Sequence, residues 1–404
     1  MDVTTAFLNG NLDETIYMRQ PPGYEEKGKE SLVCELKRSL YGLKQSPRCW
    51  NKKLTQYLLD LGFNQCRSDP CLFVKFDPFT ILTMYVDDLV LMTETEEGMV
   101  KLKKWLSMKF KMKDMGPIHH LLGIRLRRTS EGLWLIQDQY IKKLLMKYGL
   151  IEAKESSIPA CPTTVLTKTD ESKGVDKMMY QSMVGSLLYL ALATRPDIQY
   201  AVSNVTRFST DPKMSHLTAV KKIFQYLKST VNLGLLYKPM ESSVVGFADS
   251  DLAGNYDDRK SRSGYVFLNG EAAISWYSGK QGSVSCSTAN AEYLALGTAV
   301  REGLFLKQLY KEIGVDVGTM RIYEDNQAAI AIAKNPVFHC KQKHIDIQYH
   351  FIRDEIEKKQ IEVVYCETEK MVADIFTKAL SRERFRKLRQ QLGLQLMSVE
   401  SMQS

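Results

Sequence analysis

The 404-residue chain has no apolar run that approaches a membrane span, and its first residues have neither signal nor transit character, so nothing points to secretion or lipid. The eight cysteines (Cys34, Cys49, Cys66, Cys71, Cys161, Cys286, Cys340, Cys366) include no C-x-x-C pair. They read as reduced, mostly buried thiols of an intracellular protein. His339, Cys340, His344 and His350 have the spacing of no common zinc finger and read as loop polarity and helix packing. What is present is ordinary for a soluble globular chain, with 44% hydrophobic and 25% charged residues. The length exceeds what one core organises, so two or three domains are expected. A net charge of +8 is a mild basic bias, consistent with a polyanionic partner.

One stretch organises the rest: Ile81-Leu82-Thr83-Met84-Tyr85-Val86-Asp87-Asp88-Leu89-Val90-Leu91. Its apolar flanks are too short for a buried helix and predict two strands of a hairpin with Asp87 and Asp88 at the turn. Carboxylates beside an apolar core are costly unless paired or bound to a cation. No Arg or Lys lies within five residues, which favours a divalent metal. Asp-Asp is also ordinary surface-turn chemistry, and these residues alone leave both readings open.

A second stretch opens the chain: Met1-Asp2-Val3-Thr4-Thr5-Ala6-Phe7-Leu8-Asn9-Gly10. Together the two resemble the palm of copia-type retrotransposon reverse transcriptases, where a strand ending in Asp-Val-x-x-Ala-Phe meets a Tyr-Val-Asp-Asp hairpin. The resemblance implies that Asp2, Asp87 and Asp88 gather two Mg²⁺ (or Mn²⁺) ions for nucleotidyl transfer, with Phe7 as the steric gate against a ribose 2′-OH. Ile16–Tyr24, a short strand stopped by Pro21-Pro22-Gly23, matches the same pattern. Ser39–Trp50 resembles the family's template and nucleotide motif. There Tyr41 and Gly42 would approach a base pair and Lys44 and Arg48 would meet phosphate. A helix is expected over Cys49–Leu61, striped by Leu54, Leu58 and Leu61 and ended by Gly62. The six lysines between 101 and 113 read as a solvated helix face. Leu121-Leu122-Gly123-Ile124 resembles the primer-grip strand, with Leu122 and Gly123 toward the primer and Arg125 where the family has an acid.

Residues 152–177 are polar and read as a flexible linker. Helices follow over Tyr180–Ala193, Ile198–Phe208 and Leu217–Leu227, the third with Ser215 as its cap. This block resembles the thumb and connection. Arg195, Lys221, Lys222 and Lys228 read as a solvated face or as backbone contacts.

From Val244 the pattern turns to strands. Val245 and Phe247 alternate into Asp249, and Asn269-Gly270 predicts a type I′ hairpin between Tyr265–Leu268 and Ala272–Trp276. A further strand is expected at Val284–Cys286, then a helix over Thr288–Ile313 with Glu292 in its first turn. Strand Arg321–Glu324 leads to Asp325, with Asn326 capping helix Gln327–Ala333. A helix over Asp346–Lys358 and strand Ile361–Cys366 precede Asp374, in the first turn of the last helix. That order resembles ribonuclease H, and Asp249, Glu292, Asp325 and Asp374 match its Asp-Glu-Asp-Asp set. The resemblance implies two Mg²⁺ ions roughly 3.5–4 Å apart, cutting a phosphodiester. The loop Glu367-Thr368-Glu369-Lys370 lacks the histidine many such enzymes carry, and Leu252 stands where the family has Trp.

The expected fold is therefore α+β and multidomain. A palm-type sheet with helices (1–151) and a linker (152–177) precede a helical thumb or connection (178–240), a ribonuclease H-like mixed sheet (241–395) and a tail (396–404). Implied partners are an RNA template, a DNA primer, RNA–DNA hybrid and dNTPs, in a cytoplasmic particle or the nucleus. The family's fingers would precede Asp2, so the chain is expected to be the back part of a larger polyprotein. Asp2 is expected to fray and primer extension to fail. The alternative to an active enzyme is a polymerase-dead remnant that binds nucleic acid and keeps at most ribonuclease H activity.

Overall fold

The computed structural model describes residues 1–239, 243–334 and 343–397. It divides into two compact units, one of residues 1–118 with 308–316, the other of 119–307 with 317–404.

In the first unit the strands are β1 (Asp2–Val3), β2 (Tyr17–Arg19), β3 (Val33–Glu35), β4 (Asn64–Gln65), β5 (Leu72–Phe76), β6 (Phe79–Tyr85), β7 (Asp88–Thr93) and β8 (Met112–Lys113). The helices are α1 (Ser46–Asp60) and α2 (Glu96–Lys109). Six strands form one sheet in the order β4-β5-β6-β7-β1-β8, while β2 and β3 pair apart from it. Alternation buries Thr80, Leu82 and Met84 of β6, and α1 lays Trp50, Leu54 and Leu58 into the same unit's core. Helix α1 starts at Ser46, earlier than expected, with Pro47 in its first turn, and Gly62 (φ +83°) follows its end. Thr95 caps α2 by accepting the Gly98 N–H.

Asp2 does not fray. Strand β1 is paired on both sides, Asp2 opposite Asp88 of β7 and Lys113 of β8, and Val3 is buried. The Leu89 N–H donates to the Met1 carbonyl and the Val3 N–H to the Asp87 carbonyl, so interior strand pairing supplies the support that the position in the sequence did not suggest.

The second unit continues with β9 (His120–Leu121), β10 (Ile124–Thr129), β11 (Gly132–Ile136), β12 (Leu233–Tyr237), β13 (Val244–Asp251), β14 (Arg262–Asn269), β15 (Ala272–Lys280), β16 (Met320–Glu324), β17 (Ile361–Tyr365) and β18 (Leu394–Leu396). Its helices are α3 (Asp138–Lys147), α4 (Lys177–Ala193), α5 (Gln199–Thr206), α6 (Met214–Ser229), α7 (Thr288–Glu312, whose last turns group with the first unit), α8 (Gln327–Lys334), α9 (Lys343–Glu357) and α10 (Arg382–Gln391). One antiparallel sheet runs β18-β12-β11-β10-β9, and a mixed sheet runs β15-β14-β13-β16-β17 with β13, β16 and β17 parallel.

Several expectations are corrected. Leu121–Ile124 is not a strand but a two-residue hairpin, with Leu122 (φ +49°) and Gly123 (φ +76°) both left-handed between β9 and β10. The later hairpin turns on Gly270-Glu271, Asn269 pairing with Ala272 and only Gly270 having positive φ, so it is not a type I′ turn. Val284–Cys286 forms no strand, because β15 runs on to Lys280 and takes the pairing of β14 as far as Arg262. Residues 152–177 carry almost no regular structure before α4, yet they are no loose linker. Leu166 is buried, Ile158, Ala160 and Val175 pack on the helical core, and Lys228 donates to the Ala153 carbonyl. The third helix begins at Met214, with the His216 Nδ1 accepting the Lys213 N–H where Ser215 was expected to cap. Arg195 neither faces solvent nor is placed for phosphate. It is fully buried, in a two-pronged pair with Asp197, whose Oδ2 also accepts the Tyr226 hydroxyl. No break in packing separates α4–α6 from the mixed sheet, since Leu187, Val202, Phe224, Val266, Leu268 and Phe376 share one core.

Candidate active sites

The first candidate site lies where β6 turns into β7. Tyr85 pairs with Asp88, which leaves Val86 and Asp87 as the turn, and Val86 sits at φ +57°. That conformation is costly for a β-branched residue and marks a held, not a relaxed, turn. The holding group is Trp50. Its buried indole N–H donates to the Val86 carbonyl at 2.5 Å. Asp2 and Asp88, directly opposite across the strand pair, project from one face. Desolvation raises the Asp88 carboxyl, and repulsion from Asp87 and then Asp2 raises it further. The three carboxylates nevertheless do not close to the spacing of the second site described below. Phe7 is half-buried in a 3₁₀ turn and lies against Tyr41, ring centroids 4.5 Å apart. Gly42 has φ +98° with open space about it, and Lys44 is exposed.

Of the residues expected to grip the primer, Leu122 is exposed, and its carbonyl accepts the Tyr189 hydroxyl, which also lies where a side chain at Gly123 would go. Arg125 is ion-paired to the buried Asp138 at 3.2 Å.

The second site is deeper. Asp249 comes from β13, Glu292 from the first turns of α7 and Asp325 from just beyond β16. One carboxylate oxygen of each lies within 4.8 Å of the others, the one such group of three among the described residues. Burial pushes the Asp249 carboxyl up to about 8, against the pull of Lys378. Burial, then Asp249, Glu324 and Asp325, pushes Glu292 up to about 11. Glu324, which sequence reasoning passed over, is fully buried beside them and held well above the carboxylate range by burial. The Oε2 atoms of Glu292 and Glu324 have no hydrogen-bond partner. Buried, mutually repelling carboxylates with oxygens to spare are what a divalent cation fits.

Asp374 is not in that group. It lies in a 3₁₀ turn over Val372–Phe376, not in the last helix, which starts only at Arg382. Its carboxylate is paired with Lys378 at 2.7 Å and with Arg384. The Thr377 hydroxyl donates to Asp249. Two acids side by side at a strand end, Glu324-Asp325, and a Lys four residues after Asp374 were the available signals for the missed groups. His339, Cys340 and the side chain of His344 lie outside the described residues, and His350 is on α9. No helix among the described residues is long and apolar enough to cross a membrane.

The family model for reverse transcriptase (RNA-dependent DNA polymerase) matches residues 1–162. The retrovirus-related Pol polyprotein from transposon TNT 1-94 of Nicotiana tabacum is 39% identical over 409 residues, covering 98% of this chain and 30% of that polyprotein. The chain thus spans less than a third of the polyprotein's length. A putative transposon Ty5-1 protein of Saccharomyces cerevisiae is 32% identical over 75% of this chain and 100% of its own length. The foamy viral protease–reverse transcriptase, solved in complex with an RNA/DNA hybrid, shares the fold with a TM-score of 0.51 at 12% identity, over 91% of this chain and 46% of that one. The chain belongs to the copia-type retrotransposon Pol family.

Proposed function

We propose that the chain is a reverse transcriptase/ribonuclease H segment that copies an RNA template onto a DNA primer with dNTPs and cleaves RNA in the resulting hybrid. The observation that carries this is the buried convergence of Asp249, Glu292 and Asp325 from three elements of the mixed sheet. Carboxylates that cannot all ionise without a cation are useful for holding one, and their cost is hard to account for as packing. Asp249, Glu292 and Asp325 would hold Mg²⁺ or Mn²⁺, with Glu324 beside them. A bound divalent ion there supplies Lewis-acid stabilisation of phosphoryl charge and a more acidic water. The chain's own part is to fix the ligands. Thr377 orients Asp249, and the Asn326 N–H, donating at 3.1 Å, fixes Glu324 Oε1.

In the palm, Asp2, Asp87 and Asp88 would serve nucleotidyl transfer on the turn fixed by Trp50. Phe7 with Tyr41 would face the sugar, Gly42 and Lys44 the template strand and triphosphate, and Leu122-Gly123 the primer. Incubation of the chain with end-labelled RNA–DNA hybrid, duplex RNA and duplex DNA in Mg²⁺ tests the nuclease half. Cleavage confined to the RNA of the hybrid is expected, and equal cleavage of duplex DNA would contradict it.

A further inference from the structure

Of the four acids expected to face metal, three close on one another and the fourth does not. Asp374 is 1% exposed and has two cationic partners, Lys378 Nζ at 2.7 Å from Oδ1 and the Arg384 guanidinium on Oδ2. The same Lys378 ammonium lies 3.8 Å from Asp249 Oδ2, an oxygen that also accepts the Thr377 hydroxyl. At the other end, the buried Oε2 atoms of Glu292 and Glu324 have no partner. Negative charge in this site is therefore divided unevenly. One end is neutralised from within the chain, and the other is left open.

We infer that Lys378 is a built-in cation of the nuclease site. It fills the end between Asp249 and Asp374, so that the chain without nucleic acid loads one divalent ion, on Asp249, Glu292 and Asp325, instead of two. The inference rests on the ribonuclease H reading above. A second dication at that end would sit beside an ammonium already paired to both of its ligands, and the two like charges would repel. Lys378 lies two residues beyond the 3₁₀ turn that carries Asp374, and its ammonium reaches back to that carboxylate. A lysine also suits the role because its point charge rides on a flexible stem and can leave when a substrate phosphate offers another anion.

The test is to count Mn²⁺ bound to the full chain without nucleic acid, by electron paramagnetic resonance of the free ion. The share belonging to this site is the difference between the chain and its D249N/D325N double variant. The expected share is one ion for the chain, one for K378R, which keeps the charge, and two for K378M. In K378M, Asp374 keeps Arg384 as a partner, so the fold is expected to survive, and circular dichroism checks it. K378Q repeats the count if K378M does not fold. A share of two in the unaltered chain, or of one in a folded K378M or K378Q, overturns the inference. If the counts come out as expected but no form cleaves hybrid, the assignment of Lys378 stands and the ribonuclease H reading fails.

Discussion

The indole N–H of Trp50 donates to the carbonyl of Val86 at 2.5 Å, tying a helix to the turn that carries Asp87. Trp50 is 1% exposed, and Val86, at the exposed turn, is held at φ +57°. Replacing Trp50 by Phe keeps an aromatic ring but leaves that carbonyl without its donor. The expected cost is about 1–2 kcal/mol in urea unfolding. Val86→Gly should act the other way, gaining about 1 kcal/mol by removing the left-handed strain of a β-branched residue. A Val86→Gly chain less stable than its parent would show that the turn is not strained.

Arg195 and Asp197 give a larger prediction. Both are buried, and Tyr226 and Thr230 complete their hydrogen bonding. Arg195→Ala would strand the Asp197 carboxylate in the core, and the expected loss is roughly 3–5 kcal/mol. A loss below about 1 kcal/mol, measured by denaturant unfolding, would mean that water or another cation takes the place of Arg195.

The acidic cluster makes stability depend on pH in a stated direction. Burial raises the Asp249 carboxyl from 3.8 to about 8, so its contribution is fully present below about pH 4 and is lost as pH climbs through about 8. Glu292, raised further, adds a loss at still higher pH. The Tm of the metal-free chain should therefore fall between pH 5 and pH 8, and by less in Asp249→Asn. Saturating Mn²⁺ should raise Tm more at pH 8 than at pH 5, because the ion needs ionised ligands; a hundredfold excess over Kd stabilises the folded chain by roughly 2.7 kcal/mol. Equal Mn²⁺ shifts at the two pH values would contradict the cluster as a metal site.

The sequence made legible what repeats along the chain or is confined to a few adjacent residues. The apolar flanks of Asp87-Asp88 predict the hairpin, and Val245 and Phe247 predict the side on which Asp249 emerges. The element order of the mixed sheet follows from the same alternation, apart from the strand at Val284–Cys286. What escaped depends on partners distant in sequence. Arg195 looks like a solvent cation until Asp197 and Tyr226 enclose it. Asp2 looks like a loose end until β7 and β8 pair with it. Glu324 looks like an ordinary strand residue until Asp249 and Asp325 are beside it. Asp374 was placed with the other three acids by resemblance; Lys378, four residues on, was the one local signal of its pairing, and nothing local announces that Arg384 engages the same carboxylate.

The central claim is that the Asp249, Glu292 and Asp325 cluster cleaves RNA in hybrids. It is tested most directly by comparing the full chain with Asp249→Asn on an end-labelled RNA–DNA hybrid in Mg²⁺, with circular dichroism confirming that both are folded. The account predicts cleavage by the chain and a rate below roughly one-hundredth of it in the variant, the scale on which losing a preorganised charge-stabilising group acts. A folded Asp249→Asn chain that cuts hybrid at the parent rate, or a folded parent that does not cut it, would contradict the account.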